Sequence, residues 1–154
     1  MKAKFKVKFT LKDTDQLLSE LDLQPGGKVQ TIIDKSFLEA CDKYIPENTG
    51  SMKDRSKTAT VCGSGRVVFP GPYAHYQYYG EVYGPNIPIF DDDTGIPTTF
   101  RSKKGQKKHP TGRELQYSKD PNPNACSHWA EVAKANHMKD IMEEIHKATG
   151  YKVE

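Results

Sequence analysis

Five cations, Arg101, Lys103, Lys104, Lys107 and Lys108, fall within the nine residues 101–109. At that density, lysine and arginine can neutralise phosphates, and such contacts position a protein on nucleic acid without reading its sequence. No aromatic residue is interleaved among them to stack on bases, which argues against single-strand binding. The same run suits a soluble arm that becomes ordered against an acidic neighbour. A second concentration of chemistry lies in Gly71-Pro72-Tyr73-Ala74-His75-Tyr76-Gln77-Tyr78-Tyr79-Gly80, which holds four of the eight tyrosines. Pro72 suits a first helical position and Gly80 the residue just past the last turn. On that helix Tyr73, Tyr76 and Tyr79 form one row, and Ala74 and Tyr78 form its neighbour. A helix this short, apolar nearly all round, needs cover on more than one side. The four tyrosines Tyr73, Tyr76, Tyr78 and Tyr79 are therefore candidate subunit contacts, with a buried aromatic corner as the alternative.

Catalytic and metal chemistry finds little purchase. A nucleophile needs a base within reach and a preorganised oxyanion site. Ser64 has glycines immediately on both sides, an arrangement better suited to a hairpin turn than to a nucleophile elbow. Cys126 and His128 are two apart, and His137 and His146 follow at nine-residue intervals. Nine residues rotate a helix by about 180°, so these side chains alternate sides and cannot share one ion. Asp91, Asp93 and Gly95 resemble the start of a calcium loop, but the glycine comes one position early and Ser102 stands where the closing carboxylate belongs. The residues point to no enzyme, no metal and no cofactor.

The elements that must position these groups can be read from periodicity. Lys2 to Lys12 alternates without a break, with Ala3, Phe5, Val7, Phe9 and Leu11 on one side and lysines on the other, which predicts a half-buried strand. Asp13-Thr14-Asp15 offers an N-cap for a short helix over Gln16–Leu21. From Lys28 the period lengthens: Val29, Ile32, Ile33, Ser36, Phe37, Ala40 and Tyr44 define an amphipathic helix that stops before Pro46, with Cys41 at the edge of its stripe. Thr58–Val61 and Arg66–Phe69 flank Cys62-Gly63-Ser64-Gly65 and predict a β-hairpin. Glu81–Phe90, interrupted by prolines, reads as an edge segment, and 91–112 as a long projecting loop or β-arm. Arg113–Ser118 is a short strand candidate. Asn122-Pro123-Asn124 caps a last helix near Ala125–Thr149, with Trp129 on its apolar stripe and Gly150 at its end. This order gives one domain over 1–154 of the α+β class: an antiparallel sheet with helices packed on one face and a long projecting loop.

The bulk properties agree. A chain of 154 residues with 35% hydrophobic and 28% charged residues supports one modest core and much exposed surface. A net charge of +3 is too small to imply nucleic-acid binding by itself. The first residues lack the apolar stretch of a secretory signal, and no run approaches the roughly 18 residues of a membrane span, so no membrane partner is expected. The three cysteines, with no C-x-x-C pair, read as reduced thiols.

Two segments carry a resemblance. Pro46-x-x-Thr49-Gly50-x-Met52-x-x-x-Ser56 resembles the "P-x-x-T-G-x-L" turn, followed by a serine, of tailed-phage head–tail connector proteins. Gly71-Pro72-Tyr73-Ala74-x-Tyr76-x-x-x-Gly80 resembles the "Y-A-x-Y-x-x-x-G" segment that follows it there. The minor capsid protein group of phages and prophages of Gram-positive hosts is the nearer likeness, since Pro110-Thr111-Gly112-Arg113-Glu114-Leu115 and Asn124-Ala125-x-x-His128-Trp129 are also similar to it. Met52 replaces the usual leucine, the serine comes one residue late, and the lysine-rich loop is longer. The resemblance implies a head–tail joining or tail completion protein in the neck of a virion, made in the bacterial host cytoplasm. It would form a ring with itself, six subunits as the first guess. Its neighbours would be a portal-side connector or stopper protein and a tail terminator or tail tube protein, with passive contact with genomic DNA left open. Pro46, Thr49, Gly50 and Gly80 would be structural turn positions. A nucleic-acid-binding accessory protein using 101–109 is the alternative.

Overall fold

A computed structural model describes residues 14–47 and 50–150. The predicted strand over Lys2–Lys12, Thr49 of the turn and the tail beyond Gly150 lie outside the described residues. Helix α1 covers Thr14–Glu20, α2 Lys28–Asp42, α3 Ser51–Ala59, α4 Ala74–Tyr79 and α5 Trp129–Thr149. The strands are β1 Glu81–Gly84, β2 Ile87–Phe90, β3 Pro97–Arg101 and β4 His109–Glu114. The class is α+β: helices plus two small antiparallel ribbons, β1–β4 and β2–β3.

The core forms where the stripes of α2 and α5 meet. Val29, near the start of α2, packs with Ile141 and Ile145, near the end of α5. Ala40 and Cys41, near the end of α2, pack with Trp129 and Ala133, near the start of α5. The two helices are therefore antiparallel, and Phe37 touches both clusters. Lys28 Nζ reinforces the pairing by donating to the Ala148 carbonyl at 2.8 Å. Cys41 lies at the centre of the core, fully buried, rather than at the edge of the stripe.

The expected hairpin at 58–69 does not form. Residues 51–59 are α3, and the Gly63–Gly65 turn folds instead around a carboxylate that the periodicity reading passed over. Asp34, buried on α2, accepts hydrogen bonds from Gly63 N–H at 2.8 Å and Gly65 N–H at 2.9 Å, and from Gln30 Nε2 at 2.8 Å. A buried carboxylate is tolerable only when its lone pairs are satisfied, and backbone donors that might have joined a ladder are used for that purpose.

Residues 81–114 form the β-arm. The pairing is nested: Gly84 opposes His109, Ile87 opposes Arg101, and Phe90 opposes Pro97. Topologically this is one long hairpin in which residues 102–108 on the return strand face only 85–86 on the outgoing strand. The basic run is thus a side excursion, and the tip is Asp91–Gly95. The strand predicted at Arg113–Ser118 lies earlier, at His109–Glu114, because its pairing partner is β1.

Helix α5 starts at Trp129, later than the expected Ala125, because His128 is left-handed at φ 49°. The amides before it bond elsewhere: Cys126 N–H to the Tyr44 carbonyl and His128 N–H to the Tyr78 carbonyl. Asn122 does not cap this helix. It is buried, and its Nδ2 donates to the Lys43 and Ile45 carbonyls, closing the end of α2.

Two of the turn glycines differ in kind. Gly50 precedes α3 at φ 75°, and a Cβ there would make only an ordinary contact, 3.6 Å from Glu47 Oε1. Gly80 ends α4 at φ 69°, and a Cβ there would lie 2.9 Å from Ser127 Cβ and 3.0 Å from Tyr117 Oη. Gly50→Ala should cost about 1–2 kcal/mol from backbone conformation alone. Gly80→Ala adds overpacking and should cost on the order of 2–4 kcal/mol. Denaturant melts of both variants check this, and equal losses would contradict it. Trp129→Ala, at a residue 1% exposed, should cost about 3–5 kcal/mol, read in the same way.

Candidate functional site

The four tyrosines of the 71–80 segment divide their duties. Tyr78 points inward: its ring meets Trp129 edge-on at 4.8 Å, and its hydroxyl donates to the Glu131 carboxylate. Burial first, then that hydrogen bond, pushes the Tyr78 hydroxyl well above the usual tyrosine range. The same bond holds Glu131 below the usual carboxylate range. Tyr76 leans on Tyr83 of β1, with centroids 4.5 Å apart, and so joins the helix to the arm. Tyr79 rests between His75 and His128 but remains 53% exposed, while Tyr73 is 70% exposed. Buried corner and open surface, weighed as alternatives for this segment, both occur, on different residues.

Two concavities border α4. The larger, about 660 Å³, is an open groove walled mainly by Ile33, Phe37, Val67, Phe69, Tyr78 and Trp129. His75 and Tyr79 contribute to it from α4, and exposed Arg66 stands in the chain between Gly65 and Val67 of its lining. Asp34 also contributes, but its oxygens are already engaged. The smaller, about 260 Å³, brings together the two segments that carry the sequence resemblance: Pro46, Gly50 and Met52 on one side, and Gly71, Pro72 and Tyr73 on the other.

The arm carries the third surface. Arg101 ends β3, and Lys103, Lys104, Lys107 and Lys108 lie on the excursion, all exposed. Among the described residues none of these five forms an ion pair. Asn86 Oδ1 accepts from Ser102 Oγ at 3.2 Å and from Lys108 Nζ at 3.1 Å, so one side chain holds both ends of the loop. Beyond it, Phe90, Ile96 and Phe100 are 54%, 62% and 61% exposed. Sequence reading centred the arm on its charge and missed these apolar residues. Their alternation was legible only once the strand pairing was known.

The residues weighed for catalysis and for metal binding take structural places. Asp91 accepts from the Asp93 and Thr94 amides and the Thr94 hydroxyl, which hold its carboxyl below the usual range and close the tip turn. Ser64 bonds its own turn at Arg66. Among the described residues no cluster of three His, Cys, Asp or Glu side chains is placed to hold a metal, and no helix is long and apolar enough to cross a membrane. One chain of polar groups was not anticipated: Tyr44 Oη lies 3.2 Å from His137 Nε2, whose Nδ1 lies 3.0 Å from Asp140 Oδ2, and Asn136 Nδ2 donates to the same tyrosine. It fastens the end of α2 to α5.

The chain matches no family model, no curated protein and no solved structure.

The thiols provide a check on the site. Burial, aided by Asp42 and Glu131, pushes the Cys41 thiol from 9.0 up to about 12, and Cys62 is exposed. A raised folded-state pKa means that this contribution to stability is complete below pH 9.0 and is lost as pH climbs towards 12. At neutral pH an aromatic disulfide reagent should label Cys62 at once, Cys126 slowly, and Cys41 only after denaturation. Rapid modification of Cys41 in the native protein would show that the core is open there.

Proposed function

We propose that this protein is a structural component of a tailed-phage neck, a ring-forming head–tail joining or tail completion subunit between a portal-side connector and the tail tube. One observation carries the reading. A helical body with an open aromatic groove also bears a β-arm whose Phe90, Ile96 and Phe100 are uncovered among the described residues. Closed rings use heterologous contacts, in which each subunit presents two different surfaces to its two neighbours. The groove with Tyr73 and Tyr79, and the arm, are two such surfaces. The two segments resembling head–tail connector proteins line one cleft, which further supports the reading. The localisation that follows is the virion neck.

The isolated chain should be monomeric or weakly associated at micromolar concentration, because only 35% of its residues are hydrophobic and a strongly hydrophobic obligate interface would need more. A ring, six subunits as the first guess, should appear in micrographs of the neck or with its neck partners. A tight dimer insensitive to dilution would overturn the ring.

The five cations, without an ion pair among the described residues, favour a second reading, binding to nucleic acid. Replacing Lys103, Lys104, Lys107 and Lys108 by serine separates the two. These positions are exposed and Lys108 gives up its bond to Asn86, so stability should change by no more than about 1 kcal/mol. If the loop grips duplex DNA, the log–log salt slope of binding falls by up to about 3.6. If it meets an acidic neighbouring ring, the parent has little DNA affinity to lose and the variant impairs joining of heads to tails. We expect the second result. Normal yield of infectious particles from the variant would sink the assembly role, and submicromolar, salt-sensitive DNA binding by the parent would establish the first.

A further inference from the structure

We propose that the β2–β3 end of the arm of one copy occupies the aromatic groove of a second copy, with the acidic tip against the groove's basic rim. The proposal deepens the ring reading and rests on it for the choice of a second copy as occupant.

Three observations converge. The first is the face of the ribbon. Pro88 opposes Phe100, and Phe90 opposes Pro97, so Pro88, Phe90 and Phe100 share one side while Ile87, Ile89, Thr99 and Arg101 take the other. A lone two-stranded ribbon is marginal in water unless a third strand or a packed surface supports it. Among the described elements neither β2 nor β3 packs extensively on a helix.

The second is the groove, whose floor is made of matching groups. Phe37, Phe69, Tyr78 and Trp129 wall a space of about 660 Å³, enough to receive one or two aromatic side chains. Aromatic rings gain from edge and offset contact with one another beyond the area they bury.

The third is charge. The tip carries Asp91, Asp92 and Asp93 in succession. The groove's edge carries Arg66 and His75, and the Arg55 guanidinium lies beside Gly71 in its lining. The one carboxylate within it, Asp34, already accepts from Gly63, Gly65 and Gln30. Glu131, beside the groove, likewise accepts from Tyr78, so the acidic tip meets Arg66 and Arg55 at the rim.

Reach is adequate. Extended at about 3.3 Å per residue, residues 81–90 span up to roughly 30 Å, the scale of a small domain. The contact is heterologous, since arm and groove are different surfaces, and repetition of it around an axis generates a ring.

The experiment uses the full chain and two variants that alter only exposed residues. In one, Phe90→Ser with Phe100→Ser removes the arm's anchors. In the other, Arg66→Glu with Tyr79→Ser reverses and trims the rim. Circular dichroism establishes that both fold. Sedimentation velocity over a concentration series reads association, and the emission of Trp129, the single tryptophan, reports arrival at the groove. The parent should associate as concentration rises towards the millimolar range, with a concentration-dependent change in Trp129 emission. Each variant alone should associate about a hundredfold more weakly, because truncated aromatic anchors each cost about tenfold or more. Mixed in equal amounts, the two should form a heterodimer and nothing larger, since between them they retain one working arm and one working groove.

Variants that associate as the parent does would overturn the arm-in-groove contact. So would a mixture that stays monomeric, which marks a contact needing the same surface on both copies. A parent monomeric at every soluble concentration also overturns it. An emission difference between parent and arm variant that persists at high dilution would assign the arm to its own chain's groove, again against the proposal. None of these results decides the ring itself, which micrographs of the neck test separately.

Discussion

A single indole joins elements that share little else. Trp129 is fully buried and receives Tyr78 edge-on from α4 and Phe69 edge-on, at 5.7 Å, from the segment before α4. Through Tyr78 it connects to Glu131, and through its cluster to Ala40, Cys41 and Ile45 at the end of α2. The indole is the surface on which Tyr78 of α4 lies, beside the Tyr76–Tyr83 contact with β1. The whole arm leaves the body at Gly80, the residue that ends α4, so its direction is inherited from the orientation of that ring. Among the described residues the buried Trp129 Nε1–H has no hydrogen-bond partner.

The distribution of order follows from this. The body spends its apolar residues on one helix pair and one aromatic junction. The arm is held by cross-strand hydrogen bonds and by tip and base clasps, Asp91 at one end and Asn86 near the middle. Such a ribbon has a defined covalent path and register but little area behind it. An element of this kind is inexpensive to reorient and gains its rigidity from whatever it lies against.

Much of the fold was legible in the sequence where a period survived over many residues. The 3.6-residue stripe from Val29 to Tyr44 and the Gly150 stop are read directly, as is the Gly80 cap of the tyrosine helix. What escaped has a common cause: contacts between residues distant in the chain. Asp34, which the periodicity of the helix does not single out, proved to be the buried acceptor that turns residues 63–65 away from a hairpin. Asn122 looked like a helix cap and proved to be a tie to carbonyls at Lys43 and Ile45. The site was half visible. Tyrosine composition announced a surface, but which rings face inward depends on Trp129 and Tyr83, neither of which is adjacent in sequence. The arm's charge was obvious, and its apolar face was hidden until pairing assigned Pro88, Phe90 and Phe100 to one side.

The excursion at 102–108 starts and finishes on the same asparagine. Because Asn86 gathers Ser102 and Lys108 onto one oxygen, the flanking strands keep their register whatever number of residues lies between. The loop is in effect a detachable cassette: evolution can lengthen it, shorten it or recharge it to suit a different neighbour while the tip beyond stays in place. Gly105, exposed with open space around it, marks where such a cassette could be opened and a foreign peptide displayed.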